Sequence, residues 1–141
     1  MDARLPAAVL AATVALAACG GGGRDAAGPR ACPTPVAAAD TGSLPKRVPL
    51  ERWGTITEVS ERGGFVGAEA IGEGKIVELY PEMVRTMTGN GYSFLGGDNE
   101  GFEAELSFAD GRRRLTTFTL RTDRCDRVIV RTLVETTKEH G

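Results

Sequence analysis

The chain has 141 residues, a formal net charge of -2, and 26% charged against 6% aromatic residues. That length holds one small domain with an extension rather than two domains, and the balance excludes a chain built around nucleic acid, because the arginines of the last third have no aromatic side chains interleaved for stacking. The single histidine, His140, stands one residue from the end, which excludes an imidazole-dependent catalytic triad.

Residues 1–4 form a short head with one basic side chain, Arg4, and residues 5–15 are an almost unbroken run of Ala, Val and Leu. Such a run falls short of the roughly 20 residues that cross a hydrocarbon core, so it reads as a signal-peptide core that is removed. It ends on Leu16-Ala17-Ala18-Cys19, followed by four glycines. This ending resembles the lipobox of bacterial lipoprotein precursors: an aliphatic residue, two small residues, then a cysteine. The resemblance implies that residues 1–18 are cleaved off and that Cys19 carries a diacylglyceryl group as first residue of the mature chain. It also implies a protein held on the extracytoplasmic side of the cell membrane by its lipid. Several acyl chains on one cysteine make such anchoring long-lived, at about 0.8 kcal/mol per buried CH₂.

Three cysteines are an odd number for an exported chain. With Cys19 assigned to lipid, Cys32 and Cys125 remain as an even pair in an oxidising compartment and are expected to form a disulfide; free thiols or an intermolecular bond are the competing readings. Two isolated sulfurs and one histidine do not make a tetrahedral metal set.

Residues 19–43, glycine-rich and then composed of Ala, Pro, Asp and Ser, bury too little apolar surface to offset ordering entropy and are expected to be a flexible tether. Only Cys32-Pro33-Thr34-Pro35 stiffens it. A small domain is expected over 44–135 and a polar tail over 136–141. Residues 55–59 and 65–71, β-branched and separated by a Gly63-Gly64 turn, predict an antiparallel hairpin. From Lys75 the period changes: Ile76, Leu79, Tyr80, Met83 and Met87 share one face of a helix over about 75–88. Pro81 implies a late start near Leu79 or a kink, and Gly89-Asn90-Gly91 ends the helix.

Residues 92–95 predict a short strand and 96–101 a turn. Phe102, Ala104, Leu106 and Phe108 alternate with Glu103, Glu105 and Ser107, a half-buried strand over 102–108. A three-residue loop Ala109-Asp110-Gly111, with Gly111 left-handed, would set Phe118 opposite Phe102 and keep one apolar face. A turn over 122–126 carries Cys125, and 128–134 is the last strand. This order implies an α+β domain, an antiparallel β-sheet covered on one face by a single amphipathic helix packed on the strand 102–108. It is faintly similar to cystatin-like rolls in element order alone, and no function follows from that.

Little in the chain offers chemistry. Asp98, Glu100, Glu103 and Glu105 supply carboxylates, but Glu103 and Glu105 fall on the polar face of a strand, where nothing shifts an exposed acid toward acid–base work. Asp98-Asn99-Glu100 presents adjacent oxygens to Ca²⁺ yet lacks the further ligands of a calcium loop, and turn chemistry explains the same residues. No glycine-rich segment leads into a helix as a phosphate loop does. The expectation is a chain with no catalytic residues, metal or cofactor: a membrane-anchored, non-catalytic module binding an envelope protein or a cell-wall component. The alternative is a carrier of a small ligand in an apolar pocket between helix and sheet, lined by Tyr80, Met83, Met87 and Phe94. A ligand-sized cavity would favour the carrier, and a filled core the binding module.

Overall fold

The computed structural model describes residues 31–136; Cys19 with the rest of the lipobox, and His140, lie outside them. A compact unit spans Cys32–Gly141. Every described helix and strand, the core and both cysteines of the disulfide fall within it, so this unit carries its own folding information.

Six strands, β1 (Thr55–Arg62), β2 (Phe65–Gly72), β3 (Ser93–Asn99), β4 (Glu103–Ala109), β5 (Leu115–Thr122) and β6 (Val128–Glu135), make one antiparallel sheet in the order β1-β2-β6-β5-β4-β3. The helix α1 (Ile76–Gly89) carries the chain from β2 across one face to the far edge and packs on β3, β4 and β5. The fold is therefore α+β, with the helix on one side of the sheet. Ile76, Leu79, Met83 and Met87 are buried beneath it, and Ala104, Leu106, Phe108, Phe118 and Leu120 meet them from the sheet. Each fully buried large apolar side chain among these contributes roughly 1.5–3 kcal/mol. Trp53 and Phe108 both set their rings edge-on to Phe118, at 5.6 and 5.9 Å between centroids.

Residues ahead of β1 cover the other half of that face. Val48, Leu50 and Trp53 are buried with Ala68 and Ala70 of β2 in the same core, and the Ala38 N–H donates to the Ile56 carbonyl at 2.8 Å. Arg47 ties this segment to the end of α1. Its Nε donates to the Asn90 carbonyl at 2.9 Å and the Asn90 amide returns a bond to the Arg47 carbonyl at 3.0 Å. A cation thus meets the carbonyl end of the helix, where the macrodipole favours it. Gly91, at φ +86, is favoured there because this left-handed backbone strains a residue with a Cβ.

Four sequence expectations are corrected. First, the helix spans Ile76–Gly89, close to the 75–88 expected from its period, so only the late start near Leu79 allowed for Pro81 is set aside; Pro81 is exposed, as is Val77, 54% accessible four residues earlier, so the Val77 carbonyl that loses its helical donor faces water. Second, β3 extends to Asn99, through residues read as a turn. Gly97 explains this, because a Cβ there would meet the Glu105 carbonyl and the Tyr80 hydroxyl, and only glycine lets β3 close on β4. Third, Phe102 lies outside β4, 62% exposed: the Glu100 N–H donates to the Glu103 carbonyl at 2.9 Å and closes the hairpin around it. Fourth, Phe118 stands opposite Leu106, not Phe102. The β4–β5 connection is longer than the three residues expected, for a reason that belongs to the site.

Candidate functional site

Two turns of one design join β4 to β5 and β5 to β6, at opposite ends of β5. They are Asp110-Gly111-Arg112-Arg113-Arg114 and Asp123-Arg124-Cys125-Asp126-Arg127. In the first, Asp110 Oδ1 accepts from the backbone N–H groups of Arg112 (2.8 Å) and Arg114 (3.0 Å), and Oδ2 accepts from Arg114 Nε (2.7 Å). In the second, Asp123 Oδ1 accepts from the N–H groups of Cys125 (2.7 Å) and Arg127 (3.0 Å), and Oδ2 from Arg127 Nη2 (2.8 Å). Backbone bonds from Asp110 N to Arg114 O (3.1 Å) and Asp123 N to Arg127 O (2.8 Å) close both. The fourth residue is left-handed in each, Arg113 at φ 63 and Asp126 at φ 56. An aspartate that satisfies the turn's N–H groups, and an arginine that neutralises it, thus replace the glycine-bulge loop expected from sequence.

Both carboxylates are largely withdrawn from water, their side chains 7% exposed at Asp110 and 13% at Asp123. Burial alone would raise their pKa values. The hydrogen bonds from Arg114 and Arg112 to Asp110, and from Arg127 and Cys125 to Asp123, outweigh it and hold both below the ordinary aspartate value. Arg114 is pushed up, first by its hydrogen bond to Asp110. Beside this turn, Tyr92 is raised mainly by burial, against the opposing pull of Arg47.

The turns differ in what their third and fourth residues do. Cys125 is bonded to Cys32, with Cα atoms 5.8 Å apart, and Arg127 Nη1 donates to the Pro33 carbonyl at 2.7 Å. The β5–β6 turn is thus an attachment corner, where the chain entering from residue 31 is fixed to the domain twice. At the other end Arg112 and Arg113 are exposed and form no ion pair among the described residues.

The carboxylates near β4 do not converge on a metal. Asp98, Glu100, Glu103 and Glu105 line a shallow recess of about 190 Å³, but Glu103 is held by Arg121 Nη2 at 3.1 Å to both oxygens. Asp98 Oδ1 and Asn99 Oδ1 accept from the N–H groups of Asn99 (2.8 Å) and Gly101 (2.9 Å), as turn residues do. No cluster of potential metal ligands occurs among the described residues. Of the four residues expected around an apolar pocket, Met83 and Met87 are fully buried in the core, Tyr80 packs against it half-buried, and Phe94 lies 39% exposed, its ring 5.3 Å from that of Phe108. The larger recesses are lined by other residues: one of about 580 Å³ lies among Pro35, Arg52, Trp53, Gly72, Leu79 and Glu82.

No family model, curated protein or solved structure matches this chain. Its functional residues are therefore argued from its own geometry. Sequence reasoning missed the paired turns, although their signal is in the sequence: an Asp and an Arg four residues apart, twice, each time between two apolar strands.

Proposed function

We propose that this chain is a lipid-anchored, extracytoplasmic module without catalytic activity, which holds an envelope protein or a cell-wall component at the membrane surface. The observation that supports this reading is the Cys32–Cys125 bridge, which occupies two of the three cysteines. Cys19 is left as the remaining thiol, at the end of the short apolar run and in the position the lipobox reserves for acylation. The burial of Met83 and Met87 within a continuous core favours a binding module over a carrier with an internal pocket.

Fractionation of cells making the wild-type protein and Cys19→Ala tests the reading. The wild type should travel with membranes after a high-salt wash. The variant should stay uncleaved at its native length or move to the soluble fraction. A Cys19→Ala protein processed to the same length and equally membrane-bound would refute the anchor.

A further inference from the structure

The end of the sheet opposite the attachment corner combines cations and apolar groups on the face that α1 leaves uncovered. Arg62 stands opposite Phe65, Phe65 opposite Glu135, and the Glu135 carboxylate accepts the Leu115 N–H at 3.1 Å, so these four residues form one row across the sheet. Leu133 lies one row in, opposite Gly67 and Thr117. Phe65, Leu115 and Leu133 are 41%, 47% and 48% exposed, and Leu133 shares its row with the small residues Ser60, Gly67 and Thr117. Arg112 and Arg113 project from the β4–β5 turn beside them, and none of Arg62, Arg112 and Arg113 forms an ion pair among the described residues. Arg113 keeps a left-handed φ of 63, a conformation in which an arginine is strained and a glycine is not.

Charge is therefore polarised along β5. At the attachment end the exposed acids Glu51, Glu73, Asp98, Glu100 and Asp126 stand with Arg52, Lys75, Arg121 and Arg124, of which Arg52 and Arg121 are already paired with Glu82 and Glu103, whereas at the tip Arg62, Arg112 and Arg113, none ion-paired among the described residues, outnumber Glu61 and the engaged Glu135. We infer that this tip docks on anionic lipid headgroups, its arginines on the phosphates and Phe65, Leu115 and Leu133 entering the interface. The complementarity of charge selects an anionic surface over a neutral one, and exposed apolar side chains among arginines suit a membrane interface.

The chain's length allows it. Residues 20–31 separate Cys19 from Cys32 and span at most about 45 Å when fully extended. β5, at eight residues, is about 26 Å long. A domain anchored through Cys19 can therefore turn over and bring its far tip to the bilayer that holds it, and a nearby anionic surface repels the acidic corner as it attracts the basic tip. The bilayer's proximity rests on the anchored reading proposed above, but the docking chemistry does not, and the test uses protein without lipid.

The oxidised unit Cys32–Gly141 is sedimented with vesicles of phosphatidylcholine and with vesicles of equal parts phosphatidylcholine and phosphatidylglycerol, at about 0.1 M and about 1 M salt. It should bind only the anionic vesicles, and only at the lower salt. Each arginine near such a surface strengthens partition about fivefold, so the combined Arg62→Gln, Arg112→Gln and Arg113→Gln variant should bind about a hundredfold more weakly. Phe65→Ser should weaken binding independently of salt, while Arg124→Gln, at the attachment corner, should leave it unchanged. Equal denaturant midpoints for the triple variant and the wild type establish that the tip has changed and not the fold. Equal binding to neutral and anionic vesicles, binding to neither, or a triple variant that binds like the wild type would overturn the inference. An unacylated Cys19 in membrane fractions would remove the anchored reading and leave the vesicle result standing.

Discussion

The β4–β5 and β5–β6 turns have the same backbone, the same aspartate holding two turn N–H groups and the same arginine neutralising it, yet one carries a covalent attachment and the other two exposed arginines. The comparison separates what makes a turn from what it presents. Asp and Arg at the first and fifth positions supply the hydrogen bonds and charge that close the loop; the third and fourth positions are free of that duty. At 125 the third position takes a cysteine that fixes the incoming chain. At 112 and 113 the same positions add charge to the tip.

The largest way to break the symmetry is to remove the attachment. Cys32→Ser with Cys125→Ser opens a loop of 93 residues and should cost about 4–5 kcal/mol on the chain-entropy model, read as a denaturant midpoint shift that the reductant-treated wild type reproduces. Asp110→Ala and Asp123→Ala come next. Each removes a carboxylate that a partly buried arginine and two turn N–H groups donate to, for about 3 kcal/mol. With the disulfide intact the two losses should be similar, and a much smaller loss at Asp110 would show that the turns are alike in shape but not in energy.

The same carboxylates set an acid limit. Their folded-state pKa values lie below the ordinary aspartate value, so each contributes stability that is fully present above the unfolded pKa of about 3.9 and is lost as pH falls through the folded one. The wild type should lose stability below about pH 4, and Asp110→Asn with Asp123→Asn, weaker at neutral pH, should lose less over the same range. Parallel acid profiles would contradict this. The smallest effect separates the fourth positions. Arg113→Gly relieves a left-handed arginine and should stabilise by about 0.5–1 kcal/mol, whereas Asp126→Gly, replacing a residue that tolerates that region, should change little.

Much of the fold was legible because period is a strong signal. Ala104, Leu106 and Phe108 alternate with polar residues, and Ile76, Leu79, Met83 and Met87 recur at helical spacing; all seven are buried. What escaped depends on contacts that composition does not encode. The glycines at 96 and 97 read as a turn until Gly97 is seen against the Glu105 carbonyl, and Phe102 reads as core until the Glu100–Glu103 bond places it in the hairpin turn. The β4–β5 register followed the Asp110 side chain rather than Gly111, and a one-residue rule for hairpin loops has no place for a carboxylate that closes the turn itself. For the site, parity paired Cys32 with Cys125, but only the fold brings Arg127 to the Pro33 carbonyl beside that bridge.

The assignment of the three cysteines joins anchor, tether and corner into one account, and mass spectrometry of the protein purified from membranes, digested without reductant and with free thiols alkylated, tests it most directly. The account predicts a cleaved N-terminal peptide beginning at an acylated Cys19, a linked peptide pair containing Cys32 and Cys125, and no alkylated cysteine. An alkylated, unacylated Cys19, or a bridge from Cys19 to either of the other two, would contradict it.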